Sequence, residues 1–382
     1  MLFAHVTARL LAQRAPRQEP VFAGCAQRDL RACGGHAVAA LASVAARWRD
    51  EPITLIHAGG ELLTCDAWEA AIMLTRPDET QSCIARYGAH AEDRRAWARA
   101  VLGTEARAPY VIGRETFPRA ASIRFDAIGG VTLDAREAAL REEVLAKLRT
   151  ADDITVRDLH TQATLKHAGI DARLSPDPAA LIAELFDERI AAHAQAGAVA
   201  EMRRAFPRGY LAVQFSADFG DDRTLDDIAR QLDSLGAASG LRIALFRAGA
   251  APWHDDIAVY ERTARRMRHA AVRVFESLNA WDICALIASS AGFAGSSLHG
   301  RIVAMAYGLP RVNFSHADAR KQEAYASTWD IAGAPGVVPV GQLQEAMLDA
   351  MQLGHEALRE RASAVVRAYH TATRSRQTPD MP

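Results

Sequence analysis

Apolar positions along the chain change period many times. Residues 1–13, "MLFAHVTARLLAQ", recur apolar at helical spacing, and "PVFAG" at 20–24 reads as a strand. The Ala-rich stretch 36–50 predicts a helix, and "PITLIHAGGELL" at 52–63 a strand running into a Gly-Gly loop. A mixed helical region covers 66–102. Then follow the strand "PYVIG" at 109–113, the segment "SIRFDAIGG" at 122–130, a helix over 135–151, the strand "DITVRD" at 153–158 and a helix over 159–168. Strands alternating with helices predict parallel pairing.

The stretch 188–208 is Ala-rich and strand-free, and reads as a connecting helix. Alternation then restarts with "GYLAVQFSA", a helix over 225–240, "LRIALFRAG", a helix over 257–269, "AVRVFES" and a helix over 280–288. The last unit is "FAGSSLHGRIVAMAYGLPRVNF", 293–314: a short apolar strand, a tight turn, a helix and another strand. Ser297 suits its N-cap, Gly308 its C-terminal left-handed position, and Pro310 stops it.

The expectation is an α/β chain of two Rossmann-like domains in tandem, GT-B-like, with parallel sheets and an inter-domain cleft. The boundaries expected are 1–187 for the first domain, 188–208 for the joint and 209–341 for the second. A helix at 342–370 packs back on the first domain, and 371–382 is a polar flexible tail. A parallel domain usually opens on a strand; this one opens inside a helix, as though its first strand were lacking.

Composition narrows the function classes. With 45 Lys and Arg against 46 Asp and Glu, all dispersed, nothing calls for nucleic acid. Cys25, Cys33, Cys65, Cys83 and Cys284 lack CxxC spacing and are odd in number, so neither a disulfide framework nor a zinc site is favoured. No run approaches the roughly 18 apolar residues of a membrane span, and the opening lacks the form of a secretory signal, so a cytoplasmic protein is expected. No cofactor or metal is expected.

Ligands of doubly wound sheets collect at the loops that follow strands. Here those loops are 57–63, 156–161, 174–181, 246–256 and the "GSSLHGR" turn. That turn, at the mouth of an apolar helix, offers backbone amides and a helix dipole to an anion.

In these loops the chain resembles the polysaccharide pyruvyl transferase family. The resemblance rests on Gly59-Gly60, the Arg157-Asp158 turn before a helix, Pro176-Asp177-Pro178-Ala179, Ser297-Leu298-His299-Gly300, and Gly308-Leu309-Pro310, in order from about residue 50 to about residue 330. Many members carry Arg where this chain has Ser297, and Arg301 lies just beyond the His. The resemblance implies transfer of a pyruvyl group from phosphoenolpyruvate to two hydroxyls of a sugar or lipid-linked oligosaccharide, as a cyclic ketal, in surface-polysaccharide assembly. It allows peripheral membrane association and a homo-oligomer. The alternatives are a GT-B glycosyltransferase using a nucleotide sugar, and a non-catalytic saccharide-binding relative.

Phosphoenolpyruvate carries a carboxylate and a phosphate, so donors must converge on it. The candidates are the helix amides with Ser296 and Ser297, a guanidinium from Arg301 or Arg157, the close-approach glycines Gly59 and Gly60, and, as a further substrate-binding residue, Asp255. His299 is the expected general acid toward C3, and His254, Asp255 and Asp177 are candidate bases for the sugar hydroxyls. Each has a plainer reading. His299 can serve as a helix-start residue bonded to a carbonyl and Arg301 as a solvated helix residue. Asp177 can stabilise a turn between prolines, His254 and Asp255 can cap the next helix, and Arg157 with Asp158 can form a cap ion pair.

Overall fold

The structure, a computed structural model, describes residues 1–249, 255–315 and 319–374. The chain divides into two compact units. Apart from Leu2, the first runs to Pro178 and takes the chain from Thr371 on; the second is Ala179–His370.

The first unit contains, in order, α1 (Leu2–Arg14), β1 (Ala23–Gly24), β2 (Arg28–Asp29), β3 (Ala37–Ala40), α2 (Leu41–Trp48), β4 (Thr54–Ala58), α3 (Ala67–Ile72), α4 (Pro77–Tyr87), α5 (Ala91–Leu102), β5 (Ser122–Ile128), α6 (Ala138–Leu148), β6 (Asp153–Val156), α7 (Leu159–His167) and β7 (Arg173–Leu174). Strands β4-β5-β6-β7 form one parallel sheet in sequential order, and β1-β3-β2 form a small mixed sheet. Its core is built from Leu63, Ile123, Phe125, Ile128, Val144, Leu148 and Val156.

Two expectations change here, and a third gains detail. The Ala-rich 36–50 stretch is not helical throughout: Ala37–Ala40 is the central strand of the small sheet, because β1 and β2 supply backbone partners on both sides, and the helix starts at Leu41. Residues 109–113 are not a strand. Val111 is fully buried, but its amide donates to Ala108 O at 3.1 Å and that of Ile112 to His57 Nε2 at 3.0 Å, so burial, not sheet pairing, explains the apolar run. Residues 66–102 hold three helices, the first fixed by a reciprocal capping box between Asp66 and Glu69.

Strand β5 carries an irregularity. Its register against β6 shifts between Phe125 and Ile128, and buried Ala127 has φ +48°, in the left-handed region that favours glycine. The Ala127 amide finds Thr155 Oγ1 at 2.8 Å.

The second unit contains α8 (Ile182–Ala194), α9 (Gly197–Ala205), β8 (Tyr210–Gln214), α10 (Asp222–Ser239), β9 (Arg242–Phe246), α11 (Ile257–Arg266), β10 (Val272–Phe275), α12 (Ala280–Ala288), β11 (Gly292–Gly295), α13 (Leu298–Ala306), β12 (Arg311–Ser315), α14 (Arg320–Trp329), β13 (Val337–Pro339), α15 (Leu343–Gln352) and α16 (His355–Arg374), whose last residues pass into the first unit. The stretch expected as a joint is thus two helices, α8 and α9, that pack into this unit's core. The single helix expected at 342–370 is two.

Six strands form one parallel sheet ordered β10-β9-β8-β11-β12-β13. Counted from β8, that is the Rossmann order 3-2-1-4-5-6. Side chains of β8 alternate between two cores. Tyr210 and Ala212 join Trp281, Val303 and Ala304 on one face, and Leu211 and Val213 join Leu225, Ile228 and Leu232 on the other. The expected architecture, α/β with parallel sheets in two successive units, is the observed one. No helix among the described residues is long and apolar enough to cross a membrane.

Candidate functional site

In a doubly wound sheet the strand order reverses at one point, and the helices that leave the two strands there lie on opposite faces, opening a crevice at the carboxyl ends. In the second unit that point lies between β8 and β11: α10 packs on one face and α13 on the other. The "GSSLHGR" turn occupies it.

Local chemistry shapes this turn. Gly295 pairs with Gln214, and a Cβ on it would run into the Gln214 carbonyl; a Cβ on Gly300 would strike the Phe293 ring at 2.5 Å. Ser297 is the N-cap of α13, its Oγ accepting from the Gly300 amide at 3.1 Å. Ser296 Oγ accepts from the Ser216 amide at 3.0 Å, tying the end of β11 to that of β8. Both oxygens accept, so each hydroxyl keeps its O–H to donate to a ligand. His299 stands half-buried in the first turn of α13.

The carbonyls of the turn are held from one side. Asn313 Nδ2 donates to Gly295 O and, at 3.3 Å, to Ser297 O, while Gln322 Nε2 donates to Ser296 O at 2.6 Å. Behind them lies Arg301. It is neither a solvated residue nor a free cation: it is wholly buried. Its Nε donates to Asp330 Oδ2 at 2.8 Å and Nη1 to Gly336 O at 3.0 Å and Asn313 Oδ1 at 3.3 Å; Nη2 reaches Asp330 and Pro335 O. The expectation that Arg301 grips an anion is therefore corrected, since its donors are already engaged and it braces the turn through Asn313. Burial works against the charge of Asp330, but the guanidiniums of Arg301 and Arg311 hold its carboxyl below the usual range.

Across β8, Asp255 accepts from Gln214 Nε2 at 2.9 Å and from the Ala248 amide. Burial pushes its carboxyl up to about 6, against those donors. Asp256, not Asp255, caps α11, its Oδ1 accepting from the Ala258 amide at 3.0 Å. His254 lies outside the described residues.

In the first unit, the carboxyl ends of β4, β5, β6 and β7 bring together another set. Gly60 O accepts from the Gly129 amide at 2.7 Å, which joins the loop of Gly59 and Gly60 to a second Gly-Gly pair, Gly129-Gly130. Glu61 accepts from the Val131 amide at 2.8 Å and from Arg157 Nη2 at 2.5 Å, and Arg157 Nη1 lies 3.2 Å from Asp177 Oδ2. Arg157 and Asp177 are both buried. Burial opposes the charge of Arg157, but the carboxylates of Glu61 and Asp177 raise its pKa. Asp158 caps α7, accepting from the Thr161 amide at 2.7 Å. Arg157 and Asp177 are thus brought together as an ion pair, while Asp158, the cap of α7, adds its charge to the carboxylates around Arg157.

His57, at the head of the loop read from sequence, lies inside β4. It stacks on Phe125 with centroids 3.8 Å apart, accepts from the Ile112 amide at Nε2, and so carries its proton on Nδ1, 3.1 Å from Arg124 O. No group of three or more His, Cys, Asp or Glu among the described residues could hold a metal ion. The five cysteines are unpaired, and burial pushes the Cys25 thiol up to about 11 and that of Cys284 to about 12.

Sequence reading missed Glu61, Gln214, Asn313, Gln322 and Asp330. Only Gly129-Gly130, a glycine pair directly after a strand, carried a local signal.

Among solved structures, S. aureus MnaA with UDP is 12% identical with a TM-score of 0.48, the match covering 86% of this chain and 98% of that one. A UDP-GlcNAc 2-epimerase from Neisseria meningitidis bound to UDP-GlcNAc is 12% identical with a TM-score of 0.42, covering 65% and 69%. An α,α-trehalose-phosphate synthase (UDP-forming) from Burkholderia xenovorans in complex with glucose-6-phosphate is 13% identical with a TM-score of 0.43, covering 67% and 66%. No curated protein matches the chain. The model of the polysaccharide pyruvyl transferase family matches residues 120–318, just over half of the chain, from the residues before β5 to beyond β12. The match takes in Arg157, Asp177, Asp255 and the whole turn from Gly295 to Arg301, and the chain belongs to the polysaccharide pyruvyl transferase family.

Proposed function

We propose that the protein transfers the pyruvyl group of phosphoenolpyruvate to two hydroxyls of a sugar or lipid-linked oligosaccharide, forming a cyclic ketal and releasing inorganic phosphate, in the cytoplasmic assembly of a surface polysaccharide. The observation that carries the proposal is the turn at the switch point: in a member of this family, two serine O–H donors and a histidine stand together at a helix N-terminus.

The donor's anionic groups are bound by the α13 amides with Ser296 and Ser297. His299 gives a proton to C3 as the first sugar hydroxyl adds to C2, and that hydroxyl's proton passes to Asp255, whose raised pKa suits a base near neutrality. The second hydroxyl then displaces phosphate from C2, its proton leaving with the phosphate. Two protons leave the sugar; one is balanced at C3 and one on the phosphate. His254 remains a candidate second base by its place after β9. In the first unit, Gly59 and Gly60 allow close backbone approach to a ligand, and Arg157 with Asp177 keeps that loop cluster in shape.

The test is phosphate release from phosphoenolpyruvate with a panel of sugars and lipid-linked oligosaccharides, with the product weighed by mass spectrometry. Acceptor-dependent phosphate release and a pyruvate ketal are expected. Turnover of a nucleotide sugar in its place would make the protein a glycosyltransferase, and inactivity on both donors a binding relative.

A further inference from the structure

Behind the α13 turn the second unit buries charges that do not cancel. The side chains of Arg301, Arg311 and Asp330 are 1%, 3% and 6% exposed. Both guanidiniums share the one carboxylate: Arg301 Nε donates to Asp330 Oδ2 at 2.8 Å, and Arg311 Nη2 donates to Asp330 Oδ1. Their remaining partners are neutral oxygens, those of Leu309, Asn313, Pro335 and Gly336. Two cations and one anion leave a single positive charge over. Asp255, across β8, has Arg247 in its own field and is not the missing counter-charge.

A buried charge without a counter-charge is costly, and its position adds to the cost. Arg301 is the fourth residue of α13, where a cation opposes the helix dipole. The first turn carries no carboxylate, and its N-cap is the neutral Ser297. These contributions have one sign, so an anion at the turn offsets them together. The link to the turn is direct. Arg301 Nη1 donates to Asn313 Oδ1 at 3.3 Å and Asn313 Nδ2 donates to Ser297 O at 3.3 Å, which leaves the guanidinium two hydrogen bonds from the N-cap. Gln322 and Asn313 hold the Ser296 and Ser297 carbonyls; in a trans peptide this turns the Ser297 and Leu298 amides the other way, and neither of them donates to a described residue.

We propose that Arg301, Arg311 and Asp330 are positioning residues of the α13 turn whose excess positive charge has a bound phosphate or phosphomonoester as its counter-ion. Arg311 supplies the excess and Asp330 limits it, while Arg301 carries the field to the amides through Asn313. This rests on the anion site read at the α13 turn and not on pyruvyl transfer.

The experiment uses calorimetry and melting curves on the full chain, with inorganic phosphate and phosphoenolpyruvate as separate probes. Arg311→Met should weaken the binding of both by roughly tenfold, and Arg311→Lys, which keeps the charge, should stay near the wild type. Asp330→Asn, which increases the excess, should tighten binding, and phosphate should raise its melting temperature by more than it raises that of the wild type. A merely structural triad gives the opposite pattern: losses in both Arg311→Met and Asp330→Asn, without rescue by Lys. That pattern, or wild-type affinity in folded Arg311→Met, overturns the proposal; if Arg311→Met does not fold, the sign of the change in Asp330→Asn decides. Absence of anion binding by the wild type removes the anion site and the triad's role together. Phosphate affinity that follows the charge in a protein that forms no ketal keeps the triad and removes the proposed transfer. Ketal formation with a phosphoenolpyruvate KM unchanged in Arg311→Met does the reverse.

Discussion

Arg157 Nη2 donates to Glu61 Oε2 at 2.5 Å across 96 residues of sequence, and the same guanidinium reaches Asp177, whose side chain has no solvent exposure. One cation between two carboxylates is costly to bury but more costly to break, because removing the cation leaves unpaired charge in the interior. Arg157→Leu should therefore destabilise the protein by about 3–5 kcal/mol, read as a fall in the urea midpoint. Pairing it with Asp177→Leu should recover part of that loss. Additive losses in the double variant would show that the two residues do not interact.

The second prediction separates capping from charge at the α13 turn. Aspartate caps a helix as well as serine does, so Ser297→Asp should leave the melting temperature nearly unchanged. The new carboxylate lies where the donor's anionic groups are proposed to bind, and like charge should abolish phosphoenolpyruvate binding in calorimetry. Binding equal to that of the wild type would place the anion elsewhere.

His299 carries the third. His299→Gln should fold, since the first turn of α13 tolerates Gln, and should keep most affinity for phosphoenolpyruvate. Turnover should fall by roughly 10²- to 10⁴-fold, the loss expected on removing a general acid. Near-normal turnover at saturating donor would make the residue structural.

A fourth prediction concerns acid stability. Burial lowers the pKa of His57 from its ordinary 6.5 to about 4, against the raising effect of the Arg124 carbonyl. Between those values the unfolded chain binds the proton and the folded chain does not, so stability is fully present above 6.5 and is lost as pH falls toward 4. The loss from this group is about 3 kcal/mol. Urea midpoints measured from pH 7.5 down should show it, and His57→Gln, which does not titrate, should flatten that part of the slope. An unchanged slope in the variant would assign the acid sensitivity to other groups.

Much of the second unit was legible because its signals are short-range. An apolar run between turn residues marks a strand buried on both faces, and Ser297 caps α13 through a bond only three residues long. The same locality failed at 36–50, where the abundance of Ala favours a helix until β1 and β2 offer partners, and at 109–113, where an apolar loop imitates a strand.

The roles of the charged and amide side chains were decided elsewhere. Nothing near Arg301 in sequence announces Asp330, 29 residues on, and nothing near Glu61 announces Arg157. Gln214 and Ser296 come together because the sheet order places β8 beside β11, so that Ser216 and Ser296 bond across 80 residues. Alone, the sequence determined most of the elements, the parallel α/β class and the capped turn, since local backbone geometry is largely dictated by neighbours along the chain. Which side chains pair at the switch point was decided by the strand order, because only closure of the sheet removes water from them and sets their partners.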